Sequence, residues 1–251
     1  MLKKRIIPIQ LLSNSRLCKT KQFQNPRDVG DPVMSSKVYS NQDADELVLL
    51  QIDRIPNAVE VLVSTVKNIA KECFVPLTVG GGIKSLKDAE KLFNAGADKV
   101  IVNSSAYSDH KLINRISKLA GVQAIVVGID AALENNDYSL YSSGASNLED
   151  ISLSEHIKNV INAGAGEIFI QSINRDGVME GYDLELLRKV CSVSSVPVIS
   201  AGGAGNFHHL HDAFSVGVDA IACGSLFNFG DNNPLRAKAF LKNYGIPLKT
   251  I

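Results

Sequence analysis

The stretch "PLTVGGGIKSLKDAEKLFNAGADKVIVNSS" (76–105) returns later in the chain as "PVISAGGAGNFHHLHDAFSVGVDAIACGSL" (197–226). The two align without a gap at an offset of 121 residues. That offset sets Pro76 on Pro197, Gly81 on Gly202, Gly82 on Gly203, Gly96 on Gly217, Asp98 on Asp219 and Ser104 on Ser225. Further upstream it sets Glu46 on Glu167. Each copy reads as a strand, a glycine-rich turn, an amphipathic helix and a second strand. A repeat at half the chain length means two similar (βα)4 halves.

Working outward, β-rich runs occur at 5–11, 47–52, 76–79, 99–103, 124–130, 167–172, 196–200 and 220–224. Amphipathic helical segments lie between them, near 32–43, 57–72, 85–95, 109–119, 153–163, 183–193, 206–216 and 234–243. Eight strands, each followed by a helix, predict a closed parallel (β/α)8 TIM barrel. The competing arrangement is an open doubly wound sheet, and the half-chain repeat favours the barrel. No linker-like stretch divides the chain, so 1–251 reads as one barrel domain. The polar segments 13–31 and 131–150 follow strand ends and exceed routine turns, which marks them as functional loops.

Composition narrows the function. Lys+Arg and Asp+Glu both number 26, so net charge is zero. This argues against a nucleic-acid surface or a polybasic membrane patch. No run approaches the roughly 20 apolar residues of a membrane span, and no secretory signal is evident. The 4 cysteines are scattered without a CxxC pair, which suits reduced thiols and a cytoplasmic location. His208, His209 and His211 fall in one helix at spacings that share no face, so no metal is expected, and no motif calls for a cofactor.

The chemistry-bearing residues gather at the strand ends. "VGGGI" (79–83) and "SAGGAG" (200–205) follow strands and lead into helices, as do "NSS" (103–105) and "GSLF" (224–227). Glycine turns of this kind let backbone N–H groups close on an anion; alone, each could equally be a tight turn. As two symmetric pairs they predict two phosphate sites, one at Gly81, Gly82, Asn103 and Ser104, the other at Gly202, Gly203, Gly224 and Ser225. The ligand is then long, with a phosphate at each end. Asp130 ends the apolar strand "IVVGIDAA" and is the general acid/base candidate, with a loop-capping acid as the alternative. Asp176 and Gly177 follow strand 6, with Asp176 as a ligand to a substrate hydroxyl or a second acid and an Asp-Gly turn as the alternative. At the opposite end, Arg5, Glu46, Lys99 and Glu167 stand at the starts of strands 1, 2, 4 and 6, where they form at least a balanced salt-bridge plug.

Together these residues resemble the HisF family, the cyclase subunits of imidazole glycerol phosphate synthase. The likeness rests on "KRIIP", "RDVGDPV", "ADELV", "PLTVGGGI", "AGADKV", "VVGIDA", "AGAGEI", "RDGVMEGYDLEL" and "GGAG". The resemblance implies a (β/α)8 barrel with a bisphosphate across its mouth. It also implies a HisH-like glutaminase docked on the N-terminal face, Asp98 included, whose ammonia crosses the barrel. Arg5, Glu46, Lys99 and Glu167 then match the family's ammonia gate. Lys19 in the first loop is retained as a substrate-binding lysine, and Thr20 replaces a usual glycine.

The family pairs a strand-5 acid, here Asp130, with a strand-1 acid. Here strand 1 reads Ile9-Gln10-Leu11-Leu12, and Leu11 takes the acid's place. Gln51 and Asn174 also stand where acids are usual. A branch of the family with a similar "Leu-Leu … Lys-Thr" look is linked to acetamidino modification of surface-polysaccharide sugars, delivering ammonia to a separate amidotransferase. The resemblance therefore implies an ammonia-channelling subunit serving sugar amidination. The alternatives are a working cyclase of histidine biosynthesis and a non-catalytic activator of a glutaminase.

Overall fold

The computed structural model describes residues 3–249; the first two and last two residues of the expected domain lie outside the described residues. The strands, in chain order, are β1 (Arg5–Ser13), β2 (Arg16–Lys21), β3 (Gln24–Gly30), β4 (Leu47–Gln51), β5 (Leu77–Gly80), β6 (Lys99–Val102), β7 (Ile125–Glu134), β8 (Asp137–Ser142), β9 (Asn147–Glu149), β10 (Glu167–Ser172), β11 (Val198–Ala201) and β12 (Ala220–Cys223). The helices are α1 (Pro32–Asn41), α2 (Ala58–Glu72), α3 (Leu86–Ala95), α4 (Ser104–Ser108), α5 (His110–Ala120), α6 (Leu153–Ala163), α7 (Leu184–Val193), α8 (Phe207–Ser215), α9 (Ser225–Asn228) and α10 (Pro234–Lys242). Eight parallel strands close in the order β1-β4-β5-β6-β7-β10-β11-β12, and β12 pairs with β1 in register Arg5↔Ala220. The sheet is a (β/α)8 barrel, as the repeat predicts.

The repeat extends into the caps. Ser85 accepts from the Asp88 N–H at the start of α3, and Asn206, its counterpart in the second half, accepts from the His209 N–H at the start of α8. Such side-chain oxygens satisfy donors the helix cannot. This also accounts for the histidines. His209 holds the cap and accepts from the Gly205 N–H, while His208 and His211 pack against Tyr244.

Alternation along β1 divides the core in two. Ile6 and Leu12 face the helices, whereas Ile7, Ile9 and Leu11 face the barrel interior with Val48, Ile101, Val126, Phe169 and Ile199. Arg5 and Leu11 therefore lie on one face of one strand, at opposite ends.

Segments 13–31 and 131–150 are not irregular loops. Each is a hairpin that continues a barrel strand: β2 pairs antiparallel with β1, and β8 with β7. The 121-residue offset carries β2 onto β8 end for end. The polar sequence hid them because their buried residues are few and partly polar, Leu17, Cys18 and Lys19 in β2 and Tyr138, Leu140 and Ser142 in β8.

His156 on α6 is fully buried and stacked on Tyr107, with ring centroids 4.0 Å apart. Burial, with His110 nearby, pushes its imidazole down to about 4. In an unfolded chain it titrates near ~6.5. The unfolded state thus binds more protons between those values, so stability falls as pH drops. From pH 7 to pH 5 the loss from this residue is about 2 kcal/mol. Urea unfolding at both pH values should show His156→Phe flattening that slope while wild type keeps it.

Candidate active site

At the N-terminal end of the barrel the four expected charges form a closed ring. Arg5 Nη1 donates to Glu46 at 2.8 Å and Arg5 Nη2 to Glu167 at 2.7 Å. Lys99 Nζ completes it, donating to Glu46 at 3.0 Å and to Glu167 at 2.8 Å. Thr78 donates its hydroxyl to the other oxygen of Glu46. Sequence reasoning missed Thr78, whose only signal is its place in the first inward position of β5. Asp98 is exposed on the same face, and its carboxylate accepts from the Leu77 N–H at 2.8 Å.

Above the ring the interior is apolar up to the mouth. There Asp130, on the inward face of β7 with Val126 and Gly128, is buried and accepts from Asn103 Nδ2 at 2.8 Å. Burial raises its carboxyl to about 7, against the lowering effect of the Asn103 hydrogen bond, with the Asp176 charge adding to the rise. A carboxyl so placed can give or take a proton near neutrality. Leu11, its expected counterpart on strand 1, is also buried and offers only methyl groups.

Two cavities open at the mouth. The larger, about 620 Å³, is lined by Asp130 and by Gly81, Gly82, Asn103 and Ser104. The smaller, about 30 Å³, is lined by Lys19, Asp176, Gly177, Gly202, Gly203, Gly224 and Ser225. Leu11, Thr20 and Gln171 line both, so the cavities share a wall. The fold thus collects all the expected mouth residues, but in two unequal spaces.

Lys19 explains the inequality. It reaches from β2 into the second glycine cradle, where its ammonium is buried and donates to the Ile9 carbonyl at 3.2 Å. A Cβ on Gly224 would lie 2.6 Å from that nitrogen, so a side chain there would make the lysine shift. Among the described residues no carboxylate forms an ion pair with it. Burial lowers its pKa to about 8, partly offset by the Asp176 charge. An unpaired buried cation is costly, and an anionic ligand would relieve it.

Asp176 is occupied by its own chain. Its Oδ2 accepts from the Thr20 hydroxyl at 2.7 Å and the Phe23 N–H at 3.2 Å, and its Oδ1 from Gln171 at 3.2 Å. Gly177, at φ +67, makes room for this docking, because a Cβ there would clash with the Thr20 carbonyl oxygen. The hairpin of the first half is thereby fastened to the second half. The reverse contact also exists: Arg54, after β4, donates to Gly144 O at 2.9 Å and to the Ser146 hydroxyl on the hairpin of the second half. Sequence reasoning did not single out Arg54. Of the other replaced acids, Gln51 is buried with its amide oxygen unpartnered, and Asn174 accepts from the Leu133 N–H at 2.7 Å.

Among the described residues, no helix is long and apolar enough to cross a membrane, and no group of three or more His, Cys, Asp or Glu could hold a metal ion. The family model for histidine biosynthesis proteins matches residues 5–233. The chain is 41% identical over 249 residues to the imidazole glycerol phosphate synthase subunit HisF of Exiguobacterium sibiricum, covering 99% of this chain and 100% of that one. It is 41% identical over 246 residues to the same-named subunit of Campylobacter concisus, covering 98% of each. The subunit of Thermococcus onnurineus is 36% identical over 249 residues, covering 99% of each.

Proposed function

The chain belongs to the histidine biosynthesis protein family as a HisF-type barrel, and from that premise we propose that it takes ammonia from a HisH-like glutaminase and passes it through the barrel to the mouth. The observation that carries this reading is the stacking of three layers in one barrel: the closed charge ring, the apolar interior, and the mouth with Asp130. Neutral ammonia can cross an apolar interior, whereas ammonium would have to shed its hydration. The ring face, with exposed Asp98, is the docking surface for the glutaminase. The two glycine cradles hold a phosphorylated small molecule, and Lys19 must yield its place or pair with the phosphate when the second cradle fills.

The finer reading follows from Leu11. With one of two acid/base groups missing, the delivered ammonia serves the amidination of a surface-polysaccharide sugar by a separate amidotransferase. A second reading has its own support. Asp130 is poised near neutrality, both cradles are intact, and the curated relatives carry the synthase name. In that reading the chain converts the bisphosphate PRFAR and ammonia to imidazole glycerol phosphate and AICAR.

The docking half of the proposal has a direct test. A HisH-like glutaminase should bind the purified chain, and its glutamine hydrolysis should rise in the complex. Asp98→Arg should weaken that binding about tenfold, the equivalent of ~1.4 kcal/mol. A glutaminase that neither binds nor responds would defeat the proposal.

A further inference from the structure

We infer that Arg54 is a direct ligand to the phosphorylated end of the substrate in the first half of the mouth. The inference rests on the reading of the mouth as a site for a phosphorylated small molecule and adds the residue that selects the charge of one end.

The two cradles are related by the repeat, but their cations are not. In the second cradle the positive charge is Lys19, carried in by the hairpin of the first half. The offset of 121 places Leu140 where a matching lysine would have to stand, and Leu140 is buried. The first cradle therefore receives no cation from the matching position of the second half's hairpin. Arg54 supplies one from another direction. It lines the larger cavity with Gly82, Ser104 and Gly144.

Its guanidinium is held in place rather than loose. Nη2 donates to the Gly144 carbonyl at 2.9 Å and Nη1 to the Ser146 hydroxyl. The neighbouring Ser143 N–H donates to Ser104 Oγ at 3.0 Å. One hairpin tip thus carries both the guanidinium and the cradle's serine. Gly144 lies at φ +58, and a Cβ there would come within 2.8 Å of Nη2, so the tip is shaped to let the guanidinium lie against it. A guanidinium has five N–H donors in a planar fork. Two are used by the tip, which leaves three for a ligand. Because Ser143 supplies an N–H to Ser104, the serine's own proton is free to donate to the same ligand. Lys84 also lines the cavity and is exposed, as Arg54 is, but nothing holds its ammonium among the described residues, whereas the hairpin tip holds the guanidinium of Arg54.

The test is titration of the full chain with inorganic phosphate at fixed ionic strength, following the amide resonances of Gly82 and Gly203 as separate reporters of the two cradles. Arg54→Gln keeps donors for the hairpin tip but removes the charge. It should weaken phosphate at Gly82 roughly tenfold or more, as expected for a lost charge-assisted contact, and leave Gly203 within about twofold. Arg54→Lys should recover only part of the loss, because lysine is a point charge without the fork. Ser146→Ala, which loosens the tip and keeps the guanidinium, should stay within about twofold of wild type. Phosphate that binds at Gly82 equally well in Arg54→Gln would overturn the inference. So would a Ser146→Ala loss as large as that of Arg54→Gln, since Arg54 would then only brace the hairpin. Wild type that shifts at neither glycine would instead remove the phosphate reading itself.

Discussion

Leu11→Asp should raise ammonium-driven turnover of the family's bisphosphate substrate by on the order of 10²-fold or more over wild type, the usual worth of one positioned acid/base group. The position is prepared for it. Leu11 faces inward, lines both mouth cavities and lies across the barrel mouth from β7, which carries Asp130. Lys19 lines the smaller of those cavities, so a new carboxylate would have a cation nearby. Wild type itself should turn the substrate over slowly. Steady-state rates with ammonium chloride, on variants whose folding is checked by urea unfolding, decide the matter. High wild-type turnover would favour the histidine-biosynthesis reading. A folded Leu11→Asp variant that stays silent would mean that Gln51, the Asp176 latch or the hairpins have also been rebuilt for another acceptor.

Glu46→Ala should cost about 3 kcal/mol of stability, at the low end for breaking a buried ion pair because the cations retain some solvent. Glu46 is the most buried member of the ring, with a side chain 3% exposed against 22% for Arg5 and 16% for Lys99. Removing it leaves both cations on Glu167 alone and strips the Thr78 hydroxyl of its acceptor. For a chain of this size the melting temperature should fall by roughly 6–12 °C. Glu46→Gln keeps acceptor and donor atoms and should cost less. In the complex with a HisH-like glutaminase, a broken ring should also let more ammonia escape into solution per glutamine hydrolysed. A loss of stability with unchanged ammonia retention would make the ring a plug and not a gate.

The readings of Leu11 and of the glycine cradles pull in different directions. A pure conduit has no use for two anion sites, yet both glycine cradles line the mouth and one holds a buried lysine that forms no ion pair among the described residues. Phosphate binding measured separately at each cradle therefore bears on function as much as turnover does. A chain that binds phosphate in both but turns over little would be one that keeps a phosphorylated ligand and sends the ammonia elsewhere.

Much of this was legible in the sequence because it depends on local periodicity. The 121-residue repeat pointed to two halves, and position along the strand put Arg5 at the end away from the mouth. The same rule placed Asp130 at the mouth, and Glu46, Lys99 and Glu167 at the other end. What the sequence left open was every contact between distant segments. Thr20 and Asp176 are 156 residues apart, and Arg54 and Gly144 are 90 apart. Only closure of the barrel brings them together, because closing the sheet sets where each hairpin lands on the opposite half. Asp176 therefore read in the sequence as a substrate ligand, a second acid or a turn residue, and in the structure it is latched to the first hairpin. Arg54 drew no reading from the sequence, and the fold lays it along the wall of the larger cavity.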